Sequence, residues 1–211
     1  LLKFSALLLE KNKVMNLTAV TEPTEVVTRH FLDCAALAPH MPQGGRVLDV
    51  GTGAGFPGMP LAILCPETEF VLLDALRKRI DFLNEVIETL GLTNVTAVHA
   101  RAEDLAKDSR ASFDMAVSRA VADLRTLSEL AVPMVKVGGT LVYSTCSILP
   151  QENEEQIKLF LARHPEYEVW RMGAELPEKL AAHEGEYGLQ MFAHRDGTDG
   201  FYVCRLRRVK A

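Results

Sequence analysis

The sequence predicts an α/β protein with a doubly wound, Rossmann-like sheet, helices in front of it and an antiparallel edge hairpin behind it. Three observations predict this. Short apolar runs alternate with stretches of helical spacing from residue 46 onward. The first run stops on a cluster of glycines, Gly51, Gly53, Gly55 and Gly58, where open α/β sheets place their ligands. Two further apolar runs, at 167–171 and 201–206, follow the last clear helical stretch.

The N-terminal stretch reads as a helix. Leu1, Phe4, Leu7, Leu8 and Leu9 form an apolar stripe that Asn12 and Asn16 break. A second helix starts near Pro23, a residue favoured in a first turn, and faces inward with Val26, Val27, Phe31, Leu32, Ala35 and Leu37. Pro39 and Pro42 end it. The first strand is Arg46–Val50, followed by a helix over Gly58–Leu64 that Pro66 closes. The second strand, Glu69–Asp74, ends in an acid. Arg77–Leu90 is an amphipathic helix with Ile80, Leu83, Val86, Ile87 and Leu90 inward and Gly91 as its cap. Strands are expected at 95–99, 113–118 and 139–145, and helices at 122–135 and 152–163. Residues 173–199 are rich in Gly, Glu and His and lack a period, so a long surface loop is expected there.

Bulk properties narrow the function classes. The 211 residues fit one domain, which divides by pattern into a helical segment at 1–43, a core at 44–139 and C-terminal strands and a helix at 140–211. Hydrophobic residues make up 48%, enough for a sizeable core, and no apolar run reaches membrane-span length. No signal peptide is visible, and the chain opens on Leu1 with a helix already in progress, which predicts residues upstream. A net charge of −5 argues against broad wrapping of a polyanion but allows a local basic face. Arg77-Lys78-Arg79 and the group Arg205, Arg207, Arg208 and Lys210 read first as solvated surface. Cys34, Cys65, Cys146 and Cys204 show neither CxxC spacing nor a nearby histidine, so no metal is expected and the setting reads as reducing and cytoplasmic. Nothing demands more than a monomer.

The glycine loop carries the strongest local signal, Asp49-Val-Gly51-Thr-Gly53-Ala-Gly55-Phe56-Pro57-Gly58. Gly53 to Gly58 fits the dinucleotide pattern GxGxxG, with Asp74 at a distance suited to ribose. Register opposes that reading. The strand stops at Val50, so the first glycine of the turn is Gly51, and Pro57 has no N–H where a phosphate would need one. The alternative, Asp49-x-Gly51-x-Gly53-x-Gly55, resembles the first motif of class I AdoMet-dependent methyltransferases. Asp74 serves either cofactor, because both contain a ribose. A nicotinamide oxidoreductase is the weaker alternative, since no catalytic Tyr-Lys pair or histidine accompanies the loop.

Several segments together resemble the bacterial small-subunit rRNA guanine-N7 methyltransferase family (RsmG, also called GidB). They are Asn12-Lys-x-x-Asn16-Leu-Thr-Ala-Val20, Arg29-His-Phe-Leu-Asp33, Asp49 to Gly58, Arg101-Ala-Glu103 and Ser118-Arg-Ala-Val121. The likeness runs from about residue 7 to 139. It implies that S-adenosyl-L-methionine (AdoMet) is the cofactor and small-subunit rRNA the substrate. Gly51 and Phe56 would line the cofactor pocket and Asp74 would hold the ribose. Ala102 and Glu103 would bracket the adenine, and Arg119 would sit beside the cofactor. Asn12, Asn16, Arg29 and His30 would lie on the methyl-acceptor side. Each has a plainer reading: Asn16 a helix cap, His30 a half-buried histidine, Glu103 a helix-start acid, Arg119 a surface ion pair.

Beyond Gly139 the pattern changes. Leu141-Val-Tyr-Ser-Thr-Cys146-Ser and the ending His194-Arg-Asp-Gly-Thr-Asp-Gly-Phe-Tyr202 resemble RNA cytosine-C5 methyltransferases of the RsmB and NOP2/Sun type. A hybrid origin is a hypothesis that follows. In that family the cysteine of Thr-Cys-Ser is the nucleophile, and Cys146 occupies its position. A partner Pro-Cys pair and an Asp are also needed there, and Val117-Ser-Arg-Ala120 provides neither. Cys146 therefore reads first as a buried strand-end cysteine without a catalytic role. Cytosine-C5 transfer through Cys146, and an AdoMet- or RNA-binding module without turnover, stand as alternatives to guanine-N7 transfer.

Overall fold

The computed structural model describes residues 1–119, 131–196 and 200–210. The chain divides into two compact units, Leu1–Asp108 and Ser109–Ala211.

The first unit begins with helix α1, Leu2–Met15. Phe4, Ser5, Leu8 and Asn12 are its buried residues, about one per turn. Asn12 interrupts the apolar stripe as a polar residue, yet it is buried on the same face of the helix. The Asn12 side chain is spent outside the helix: its Nδ2 donates to the Thr18 carbonyl at 2.9 Å and its Oδ1 accepts the Thr18 N–H at 2.9 Å. An Asn amide engaged that way no longer competes with its own backbone. The helix ends at Asn16, whose left-handed φ of 49° makes it the C-cap.

The second predicted helix is present but broken into α2 (Pro23–Val26), a π-turn (Val27–Phe31) and α3 (Leu32–Ala35). A π-turn adds a residue to the turn and rotates everything beyond it. Val26, Phe31 and Cys34 are consequently the buried set, and Leu32, expected inward, is 58% exposed. Three parallel strands follow in the spatial order β3-β2-β1: β1 Arg46–Val50, β2 Glu69–Asp74 and β3 Val95–His99. The interleaved helices are α4 (Gly58–Leu64), α5 (Arg77–Leu90) and α6 (Ala102–Asp108). Helix α5 packs on β2 and β3 and receives α1 against it, while α4 packs on β2. Gly91 caps α5 at a φ of 64°, as predicted.

In the second unit β4 (Phe113–Arg119) pairs in parallel with β5 (Val135–Thr145). The helix expected at 122–135 lies mostly outside the described residues, but its end is corrected: Val132–Met134 is a 3-10 turn and Val135 already belongs to β5. Helix α7 (Glu154–Arg163) buries Ile157 and Phe160. The late strands are antiparallel as expected. β8 (Phe201–Arg208) lies along β5, and its other edge is shared by β6 (Tyr167–Val169) and a strand the sequence reading missed, β7 (Leu189–Met191). The 173–199 stretch also holds short helices α8 (Glu178–Ala181) and α9 (Ala193–Asp196), so it is more ordered than the expected loop.

Candidate functional site

The loop 51–58 is shaped by one buried carboxylate. Asp49 is fully buried, and its Oδ2 accepts the Thr52 hydroxyl at 2.7 Å and the Gly58 N–H at 2.8 Å. This ties the start of helix α4 back to strand β1 across the glycine turn. Gly58 has to be glycine for space: a Cβ there would overlap Leu72 Cδ2 and lie 2.7 Å from Asp49 Oδ2. The turn is closed by Gly55 N–H to Thr52 O at 2.9 Å and Phe56 N–H to Thr52 O at 3.0 Å.

Burial sorts the loop into two faces. Thr52, Ala54, Gly55, Phe56 and Gly58 are buried, whereas Gly51 and Gly53 remain accessible. Gly53 sits at a φ of 61°, and the nearest atom to a Cβ built there is the Gly51 carbonyl oxygen at 3.9 Å. Bare backbone beyond the carboxyl end of a strand, open to close approach, suits a bound nucleoside. Asp74 stands beside it at the end of β2. Its Oδ2 accepts the Gly53 N–H at 3.0 Å and Arg79 Nη1 at 3.1 Å, and its Oδ1 accepts the Leu76 N–H at 2.8 Å. Arg79 belongs to the cluster read as solvated surface, and that reading is corrected for it. The available signal was its place in the first turn after the β2 acid.

Phe56 faces inward rather than into open space. Its ring lies 5.6 Å from Phe4, 6.1 Å from Phe31 and 4.6 Å from His30, between centroids. Thus the N-terminal helices pack on the glycine loop through an aromatic cluster. His30 extends the connection: its Nε2 is 3.0 Å from Thr18 Oγ1, which also accepts the Val20 N–H at 3.1 Å. His30 Nδ1 lies 3.1 Å from the Arg29 carbonyl, which can only accept, so that nitrogen carries the proton. Asn12, Thr18, His30 and Phe56 form one continuous chain of contacts from α1 to the glycine loop. Thr18 was not singled out in the sequence, because its role appears only once the π-turn brings His30 to it.

The remaining predicted residues are placed as follows. Asn16 is an exposed helix cap, and Arg29 is exposed and pairs with Glu25 at 3.5 Å. Ala102 is buried at the start of α6, and Glu103 is exposed in its first turn. In the second unit, Arg119 ends β4, half-buried and in register with Ser144. Cys146 is exposed just after β5, not buried at a strand end as expected, because the strand stops at Thr145. The turn it sits in is held by Asn153, which accepts the Thr145 hydroxyl at 2.6 Å and donates to the Ser147 carbonyl at 2.9 Å and to Gln190 at 2.7 Å. Among the described residues, no helix is long and apolar enough to cross a membrane, and no group of three metal-type ligands occurs.

Comparison with known proteins agrees with this geometry. A family model described as GidB, rRNA small subunit methyltransferase G, matches residues 1–170, well past Gly139. The chain is 47% identical over 173 residues to the ribosomal RNA small subunit methyltransferase G of Desulfitobacterium hafniense, covering 80% of this chain and 72% of that one. It is 52% identical over 143 residues to the protein of that name in Clostridium perfringens, covering 66% of this chain and 60% of the relative. Among solved structures, NSun6 from Pyrococcus horikoshii with SFG superposes at a TM-score of 0.68 and 20% identity, over 86% of this chain and 52% of that one. A SAM dependent methyltransferase from Aquifex aeolicus superposes at 0.58 and 16% identity, over 86% and 92%. These two likenesses show the fold, that of a class I AdoMet-dependent methyltransferase. The family match shows the activity class: the chain belongs to the rRNA small subunit methyltransferase G (GidB) family of AdoMet-dependent rRNA methyltransferases.

Proposed function

We propose that this chain transfers a methyl group from AdoMet to N7 of a guanine in small-subunit rRNA, acting as a monomeric, cytoplasmic methyltransferase domain over residues 1–211. The observation that carries the reading is the contact chain Asn12–Thr18–His30–Phe56, which joins the segment assigned to the acceptor side to the loop assigned to the cofactor.

When bound, AdoMet supplies a methyl group on a positively charged sulfur. The chain's part is to hold and aim. Gly51 and Gly53 offer open backbone, Asp74 a carboxylate for ribose hydroxyls, and Asp49 fixes the loop that presents them. Ala102, Glu103 and Arg119 are assigned to the cofactor by family resemblance alone. Guanine N7 has an available lone pair and needs neither a base nor a covalent adduct. Alignment against the methyl carbon can then supply most of the rate, through proximity and orientation. His30, whose ring rests on Phe56, would keep the acceptor side in register with the loop, with Arg29 and Asn16 exposed nearby in sequence to meet RNA.

Cytosine-C5 chemistry requires a cysteine nucleophile, and an exposed Cys146 is the one feature that favours it. Transfer of labelled methyl from AdoMet to unmodified small-subunit rRNA distinguishes the two in the variant Cys146→Ser. Guanine-N7 transfer predicts a rate within about two-fold of wild type, since no step uses the thiol. Loss of transfer in a folded variant would make Cys146 the nucleophile and overturn the proposal.

A further inference from the structure

We infer that Arg79 competes with the cofactor's ribose for the Asp74 carboxylate, and that the ribose must displace it. The inference rests on the reading of loop 51–58 as the cofactor site.

Asp74 has few acceptor positions to spare. An ionised carboxylate offers about four lone-pair sites, two on each oxygen. Asp74 already accepts three hydrogen bonds: Leu76 N–H on Oδ1, and Gly53 N–H together with Arg79 Nη1 on Oδ2. A ribose diol that donates both hydroxyls needs two sites and finds one. One donor has to leave.

Two of the three donors are fixed. The Gly53 N–H belongs to the turn pinned by Asp49 and Thr52, and the Leu76 N–H belongs to the residue that starts helix α5. Arg79 is different. It reaches Asp74 from the first turn of α5 with a long side chain that is 37% exposed, so it can swing into water. Only the arginine end of the pair meets water, since Asp74 is 4% exposed. The guanidinium thus takes an acceptor position that a ribose hydroxyl would need: it compensates a buried carboxylate and competes with an arriving nucleoside. This makes Arg79 a residue that tunes cofactor affinity through Asp74.

The test is calorimetric titration of the full chain with S-adenosylhomocysteine, comparing wild type with Arg79→Gln. Removing a competitor strengthens binding, by about two- to five-fold for a partly exposed pair. The gain should vanish for the 2′,3′-dideoxyribosyl analogue, which cannot donate to Asp74. Arg79→Lys keeps the charge and should fall between wild type and the glutamine variant, which guards against a folding defect in one variant. Unchanged or weaker binding in Arg79→Gln would overturn the inference and make Arg79 a support that orients the carboxylate. If neither wild type nor variant binds, the cofactor reading of the loop fails, and the inference with it.

Discussion

Asp49 and Asp74 lie on adjacent parallel strands, are both buried, and do different work. Asp49 spends its Oδ2 on Thr52 and Gly58, inside the loop it shapes. Asp74 spends its acceptors on Gly53, Leu76 and Arg79, at the rim where a nucleoside would sit. The same side chain type therefore pins a loop in one place and, in the proposed function, would bind a ribose in the other. At this scale Gly58 is the residue least open to change. Gly58→Ala would press a methyl group into Leu72 and Asp49. A cost of about 1–3 kcal/mol is expected from overpacking. Urea denaturation of the variant measures it, and an unchanged midpoint would mean that the contact relaxes freely.

Among the elements, those with a single local cause were legible in the sequence. β1, β2 and β3 are buried parallel strands, so each reads as an apolar run with a sharp end. Gly91 marks the end of α5 because only a residue tolerant of positive φ caps it. Elements set by distant partners were not legible. The π-turn at Val27–Phe31 breaks the 3.6-residue period that placed Leu32 inward. β7 has three residues, too few for a period, and exists by pairing with Phe201–Val203. The site divides in the same way: the glycine loop and Asp74 are local motifs, whereas the ties Arg79–Asp74 and His30–Thr18 appear only when the helices are in place. Helix α9 carries a pH prediction of its own. The Arg195 guanidinium, then the Phe192 N–H, hold the Asp196 carboxyl down to about 2 from an ordinary value of 3.8. A carboxyl depressed in the folded state adds stability above its unfolded pKa and loses it as pH falls through the folded one. Wild type should therefore unfold at a higher temperature than Asp196→Asn at about pH 6, with the gap closing between pH 3.8 and about 2. A gap that persists at the acid end would show that the carboxylate charge is not what matters.

For the whole molecule, the family match shows the activity class and the solved structures show the fold. The GidB match runs through residue 170, so the Thr-Cys-Ser turn at 145–147 lies within it. The likeness to NSun6 is a likeness of fold at 20% identity. A net charge of −5 argues against broad electrostatic wrapping of RNA and favours recognition through local contacts. The central claim is the identity of the methylated atom, and nucleoside mass spectrometry of small-subunit rRNA after reaction with this chain and AdoMet reads it directly. The account predicts 7-methylguanosine. Recovery of 5-methylcytidine instead, or of a covalent protein–RNA adduct at Cys146, would contradict it.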